Sequence, residues 1–180
     1  EYFVRTEKIA GAIDVTASHN PPQWNALKFI GPGGYFLDRA AARRLAEAGR
    51  AGVAWVPHDR VGGRRIETGA PARHLDRILE IVDADLIRSR RFKVAIDCVN
   101  GSASQMTPTL LERLGCEVVA LHAEFDRPFP HPPEPRPQHL GDLIRAVAES
   151  GADIGFAQDP DADRLAVIAE KGRPLSEEYT

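Results

Sequence analysis

Two stretches of this chain carry residue types whose spacing could do chemistry. Ser18 stands in Thr16-Ala17-Ser18-His19-Asn20-Pro21-Pro22, between the apolar run of residues 11–15 and the segment 24–30. Both flanks read as strands, so the hydroxyl projects from a short, proline-stiffened loop on a rigid base. Such a serine suits phosphoryl chemistry, because N–H groups of a tight turn can converge on an anion while the hydroxyl serves as nucleophile. Ser, Asn and Pro also build ordinary turns, and that plain reading stands beside the chemical one.

The second stretch, Gln158-Asp159-Pro160-Asp161-Ala162-Asp163-Arg164, lies just past the end of another predicted strand. Carboxylates at alternate positions repel one another unless a cation relieves them. Hard oxygen donors on a short loop favour Mg2+ over zinc or copper. In α/β sheets ligands gather beyond the carboxyl ends of strands, where this loop falls. A solvated acidic turn is the alternative. A calcium loop of the EF-hand type fails twice, although Glu170 falls at its twelfth position: Arg164 stands where glycine is required, and strands rather than helices flank the loop.

The elements that must position these loops are legible from periodicity and punctuation. Gly31-Pro32-Gly33-Gly34 is a turn, and residues 35–37 return briefly as a strand. Asp38 is an N-cap for a helix over 39–48 that Gly49 ends. Residues 51–70 are rich in Gly and Arg and weakly patterned, with Trp55 and Val56 as expected anchors. Leu75, Ile78, Leu79, Val82 and Leu86 share one face of a helix over 74–88. Residues 92–99 are nearly continuously apolar, as a strand buried on both faces would be. Asn100-Gly101-Ser102 turns into a helix that Gly115 stops, and residues 116–121 form the next strand. Residues 125–137 hold six of the fourteen prolines and must run extended. A helix over 141–150 ends at Gly151. Strands at 152–157 and 165–169 follow, and Lys171-Gly172 turns the chain into residues 173–175. The strand–helix alternation from residue 92 onward predicts a parallel sheet with covering helices.

With 180 residues, 43% apolar and 27% charged, the composition is that of a soluble globular protein of one domain or two small ones. A net charge of −3 and a pI near 6.1 argue against a nucleic-acid partner. The basic clusters at Arg64-Arg65 and Arg88-Ser89-Arg90-Arg91 read as solvated turns or helix ends. Cys98 and Cys116 fall in expected core strands and read as small buried hydrophobes rather than a disulfide or metal site. No run is long enough to span a membrane and no signal-peptide pattern opens the chain, so the cytoplasm is the expected location. The chain opens as if within a helix at residues 1–4 and closes as one starts at 175–180, which suggests a segment of a longer protein.

Thr16 to Phe29, TASHNPPQWNALKF, closely resembles the active-site serine loop of the α-D-phosphohexomutases, the phosphoglucomutase/phosphomannomutase superfamily. Asp159 to Arg164 resembles the metal-binding loop of the same enzymes, usually written Asp-Gly-Asp-Ala-Asp-Arg. The resemblance implies two consecutive α/β domains with mixed or parallel sheets covered by helices. Residues 1–70 would be the later part of a truncated domain I, and residues 71–180 most of domain II. It implies a reaction in which Ser18 carries a phosphoryl group exchanged between the 1- and 6-oxygens of a hexose through a bisphosphorylated intermediate. Asp159, Asp161 and Asp163 would hold Mg2+ together with the phosphoryl oxygen on Ser18. Lys28 would be a general acid/base, or else a surface lysine. His19 would assist at the phosphoserine, or else only shape the loop. Asn20, which fixes the turn, and Arg164 would lie at the bound phosphate.

The chain departs from the pattern at Pro160, in place of glycine, and at Asn25-Ala26, in place of Asn-Gly. With the carboxylates intact, metal binding is expected to survive the proline. Asn100-Gly101 resembles a structural turn of the family. The wording of residues 22–28 is closer to phosphoglucosamine-mutase-type members, which implies glucosamine phosphate as substrate and a hexose bisphosphate as activator. Phosphomannomutase/phosphoglucomutase is the runner-up. The family's sugar-reading and distal phosphate loops are not among these residues, so the segment alone is expected to turn over little. A catalytically silent metal-binding relic and an aspartate-dependent phosphatase are the readings from other classes. Oligomeric state is not readable.

Overall fold

The computed structural model describes residues 1–175; the helix expected at the end of the chain lies outside them. The chain divides into two compact units: Glu1–Val15 with Leu27–Ala70, and Thr16–Ala26 with the described residues from Pro71 onward.

In the first unit, helix α1 (Tyr2–Thr6) precedes strand β1 (Ala12–Val15), which pairs antiparallel with β2 (Leu27–Ile30). Residues 24–26 stay outside the strand expected to include them, and residues 35–37 contribute only a bridge between Ile30 and Phe36. The Asp38 carboxylate caps α2 (Arg39–Ala51) by accepting from the Ala41 N–H at 2.7 Å. The helix runs through Gly49 and ends at Gly52, whose φ of 82° is the left-handed one that glycine tolerates. An exposed glycine weakens a helix but does not end it unless the chain must reverse there. Beyond α2 the backbone is irregular apart from a 3-10 turn at His58–Arg60. Trp55 is 92% exposed and Val56 is also exposed, so neither anchors this stretch.

In the second unit the helix expected over 74–88 is two helices, α3 (Ala70–Leu79) and α4 (Ala84–Arg90). Asp83 accepts from the Leu86 N–H at 3.0 Å and so starts a new helix, the competition with backbone bonding that makes aspartate a cap. Leu75 is buried, while Leu86 stays exposed, so the apolar stripe is not one continuous face.

Strands β3 (Lys93–Asp97), β4 (Glu117–Leu121) and β5 (Ile154–Gln158) are parallel, with β3 in the centre. The sheet order is β4-β3-β5-β6-β7. Strands β6 (Leu165–Ala169) and β7 (Arg173–Pro174) add antiparallel, so the sheet is mixed rather than parallel throughout. Residues 159–164, between β5 and β6, are the acidic loop; a link so short can join only antiparallel neighbours. Residues 102–105 form a 3-10 turn before α5 (Thr107–Arg113). The proline-rich stretch, expected to run extended, instead turns and bends before a 3-10 turn at Pro137–His139, because proline fixes φ but leaves ψ free to turn the chain. Helix α6 (Gly141–Ser150) ends at Gly151 in the left-handed conformation.

Leu143 and Val147 of α6 pack on Ala95, Ala157 and Ile168 on one side of the sheet; Ile96 and Cys98 meet Leu111 and Phe156 on the other. The packing is close enough that a Cβ on Gly155 would lie 2.5 Å from a Val147 methyl. Cys98 is fully buried, Cys116 precedes β4 and is half-buried, and both thiols are free. No helix among the described residues is long and apolar enough to cross a membrane.

Candidate active site

The serine loop groups with the second unit, although its flanking strands β1 and β2 belong to the first. Its base is closed by the Thr16 N–H donating to the Ala26 carbonyl at 3.1 Å. Asn20 donates from both its backbone N–H and its side-chain Nδ2 to the Ala17 carbonyl, at 3.2 and 2.8 Å. Ser18 sits at φ 54°, left-handed backbone that costs a non-glycine residue on the order of 1 kcal/mol. Its N–H donates to Thr16 Oγ1 at 2.9 Å, which holds that conformation. The strained turn aims the Ser18 hydroxyl at two groups: His19 Nδ1 at 3.1 Å and Asp159 Oδ2 at 3.3 Å.

Asp159 is the first residue after β5 and is fully buried. Its Oδ1 accepts from the Arg164 N–H at 3.1 Å and its carbonyl from the Ala162 N–H at 3.0 Å, so the acidic loop curls around this one side chain. Thr16 Oγ1 donates to Asp161 Oδ2 at 3.1 Å, a second tie between the two loops. From beneath, the Ser102 N–H and hydroxyl both donate to the Pro160 carbonyl, at 2.9 and 3.0 Å. Gly101 lies so close that a Cβ there would stand 2.6 Å from that carbonyl oxygen.

Asp159, Asp161 and Asp163 each bring a carboxylate oxygen within 4.8 Å of the others. Burial pushes the Asp159 carboxyl up to about 6; the Arg164 N–H opposes this, and the charges of Asp161 and Asp163 push it further. Three converging hard donors, one desolvated and all mutually repelling, fit a divalent cation bound through oxygen. Arg164 is exposed, with its guanidinium 4.0 Å from Glu134. Lys28 belongs to the first unit; it pairs across from Asp14 in the β1–β2 ladder, and its Nζ lies 5.9 Å from the centroid of the Phe36 ring.

Two supports escaped the sequence reading. Thr16, inside the quoted motif, bonds to both loops, and its β-hydroxyl two residues before the serine was the available signal. Ser102 had no signal, because its partner is 58 residues away.

The family model for phosphoglucomutase/phosphomannomutase, alpha/beta/alpha domain II, matches residues 72–172, more than half of the chain. The chain belongs to that family. The model for domain I of the same family matches residues 1–52. A Methanopyrus kandleri protein named as a probable phosphoglucosamine mutase is 35% identical over 172 residues, covering 95% of this chain and 37% of that protein. A Pseudomonas syringae protein named phosphomannomutase/phosphoglucomutase is 35% identical over 164 residues, 88% of this chain and 32% of its own length. The chain thus spans about a third of the length of the relatives it matches. Among solved structures, one described as a phosphomannomutase from Thermus thermophilus superposes with a TM-score of 0.78 at 24% identity, over 95% of this chain and 39% of the other. A family member from Burkholderia thailandensis gives 0.63 at 28%, over 92% and 34%. The fold is that of two consecutive phosphohexomutase α/β domains.

Proposed function

We propose that this chain is part of a phosphohexomutase that interconverts hexose 1- and 6-phosphates, with residues 1–70 belonging to its domain I and 71–180 to its domain II. The reading rests above all on one observation, the Ser18 hydroxyl 3.3 Å from Asp159 at the edge of a three-carboxylate cluster. Ser18 carries the phosphoryl group. Asp159, Asp161 and Asp163 hold Mg2+, which neutralises charge on the transferring group and polarises it when bound.

On donation, the bond from Ser18 Oγ to phosphorus breaks as the sugar oxygen bonds to phosphorus, and the sugar hydroxyl proton passes to a nearby base. Lys28 and His19 are the candidates. His19 Nδ1, already within hydrogen-bond distance of Ser18 Oγ, can also hold the serine proton when the second phosphate returns. Thr16 keeps Ser18 in its strained turn and orients Asp161, and Arg164 and Asn20 bind the phosphate. A hexose bisphosphate is the activator, because it phosphorylates the serine.

Glucosamine phosphate is the substrate we favour, supported by relatives named as phosphoglucosamine mutases. Mannose and glucose phosphates are the second reading, supported by those named phosphomannomutase/phosphoglucomutase. The test is the larger protein that contains this chain, assayed with Mg2+, a catalytic amount of hexose bisphosphate and the three sugar 1-phosphates in parallel. A preference that disappears with Ser18→Ala supports the reading and names the sugar. Turnover that survives Ser18→Ala would sink it, and label on an aspartate instead of Ser18 would favour the phosphatase.

A further inference from the structure

A second cluster of ligating side chains shares no residue with the serine and acidic loops. Asp97 ends β3, His122 follows β4 directly, and His131 lies in the proline-rich stretch. The three meet beyond the carboxyl ends of two neighbouring parallel strands. His122 Nδ1 is 3.1 Å from both Asp97 oxygens, and His131 Nε2 is 3.1 Å from Oδ2. The outer ring nitrogens also face acceptors: His131 Nδ1 lies 2.9 Å from the Pro132 carbonyl, and His122 Nε2 lies 3.6 Å from Asp142 Oδ2.

A neutral imidazole carries one N–H. The Pro132 carbonyl can only accept, so the His131 proton belongs on Nδ1, and the lone pair of Nε2 then faces a carboxylate. His122 makes its hydrogen bonds through Nδ1 alone, to Asp97, while Nε2 stands 3.6 Å from Asp142. The His131 contact is met either by a charged His131 beside the Asp97 carboxylate, which is 1% exposed, or by a cation that takes the two inner nitrogens and the Asp97 oxygen. The 3.1 Å edges are close to the ~3–3.4 Å that separates adjacent ligands around a metal at bond lengths of about 2.1 Å. With a cation in place each ring keeps its single proton on the outer nitrogen, aimed at Pro132 and Asp142, the outer-sphere pattern that fixes ligating histidines.

We propose that Asp97, His122 and His131 form a second metal site, which takes a transition-metal dication of the Zn2+ type through two imidazoles and one carboxylate. Imidazole nitrogen favours such ions over Mg2+, so the two sites of this unit sort different metals by donor chemistry. The histidine side chains are 21% and 15% exposed, which leaves the ion a way in. The bound ion ties the proline-rich stretch to the sheet.

The test titrates Zn2+, and Co2+ as a spectroscopic stand-in, into the chelator-treated full chain with excess Mg2+ present. The expected result is one equivalent bound, with two imidazoles in the zinc X-ray fine structure. Binding should persist in the Asp159→Asn, Asp161→Asn double variant and weaken at least ~100-fold in His131→Gln and in His122→Gln. Absence of stoichiometric uptake by the folded chain, a bound ion without histidine ligands, or affinity unchanged in both histidine variants would each overturn the site. Ring-nitrogen NMR showing both histidines doubly protonated in excess Zn2+ would do the same. The wild-type measurements stand even where a variant fails to fold.

Discussion

Ser18 Oγ donates to Asp159 Oδ2 across 3.3 Å, joining residues 141 positions apart in the chain. The contact makes the serine loop and the acidic loop one site within one unit, and Thr16 to Asp161 reinforces it.

In the larger protein, Ser18→Ala should lower kcat/KM by at least ~10^3-fold, because it removes the nucleophile rather than a binding contact. The loss of one half-exposed hydrogen bond should cost only about 1 kcal/mol of stability. Steady-state kinetics beside a thermal melt separates the two. A variant that is inactive only because it is unfolded would not count in favour of the proposal.

Asp159 makes the metal-free protein sensitive to pH in a direction opposite to an ordinary paired carboxylate. Its folded pKa of about 6 is raised above the ordinary 3.8, so between those values the folded state holds more protons than the unfolded one. Stability therefore falls as pH rises through that window, by on the order of 3 kcal/mol in total. Melting temperatures in chelator from about pH 4 to 7 should show this slope for the wild type. Asp159→Asn should flatten it, and saturating Mg2+ should offset it near neutral pH. An identical slope in wild type and Asp159→Asn would assign the effect to other groups.

Gly101→Ala should disturb the acidic loop from below. A methyl 2.6 Å from the Pro160 carbonyl forces backbone to move, at a cost of about 1–3 kcal/mol. Mg2+ affinity, read by calorimetry, should fall along with the melting temperature. Pro160→Gly, by contrast, should keep Mg2+ affinity within about threefold and lose up to about 1 kcal/mol through the freer unfolded chain.

The two thiols should differ sharply toward a thiol reagent. Burial, helped by the Asp97 charge, pushes Cys98 up to about 12, and burial also raises Cys116. At about pH 8 the native protein should react at most at Cys116, with Cys98 labelled only after denaturation. Rapid labelling of both would mean that the β3 core opens readily.

Much of the scaffold is legible because its cause is local. Gly151 after an amphipathic run bounds α6 at Gly141–Ser150, and an apolar run shortly before a lysine–glycine turn sets β6 at Leu165–Ala169. The two loops are also legible, since a serine among prolines and carboxylates at alternate positions state their chemistry without a partner. Gly49 does not stop α2, because glycine ends a helix only where the chain also turns. Trp55 anchors nothing, because an aromatic side chain does not announce whether anything will cover it.

What the sequence determined by itself is the set of elements and the residue types available for phosphoryl and metal chemistry. Only the tertiary structure decided which of them meet. The β3–β5 pairing brings Gln158 and Asp159 up beside the Asn100–Ser102 turn. The same sheet sets Asp97 beside His122. Those contacts join residues dozens of positions apart, and no local pattern encodes them. They follow from burial of both sheet faces, which fixes strand order and register and thereby the side chains that converge at the strand ends.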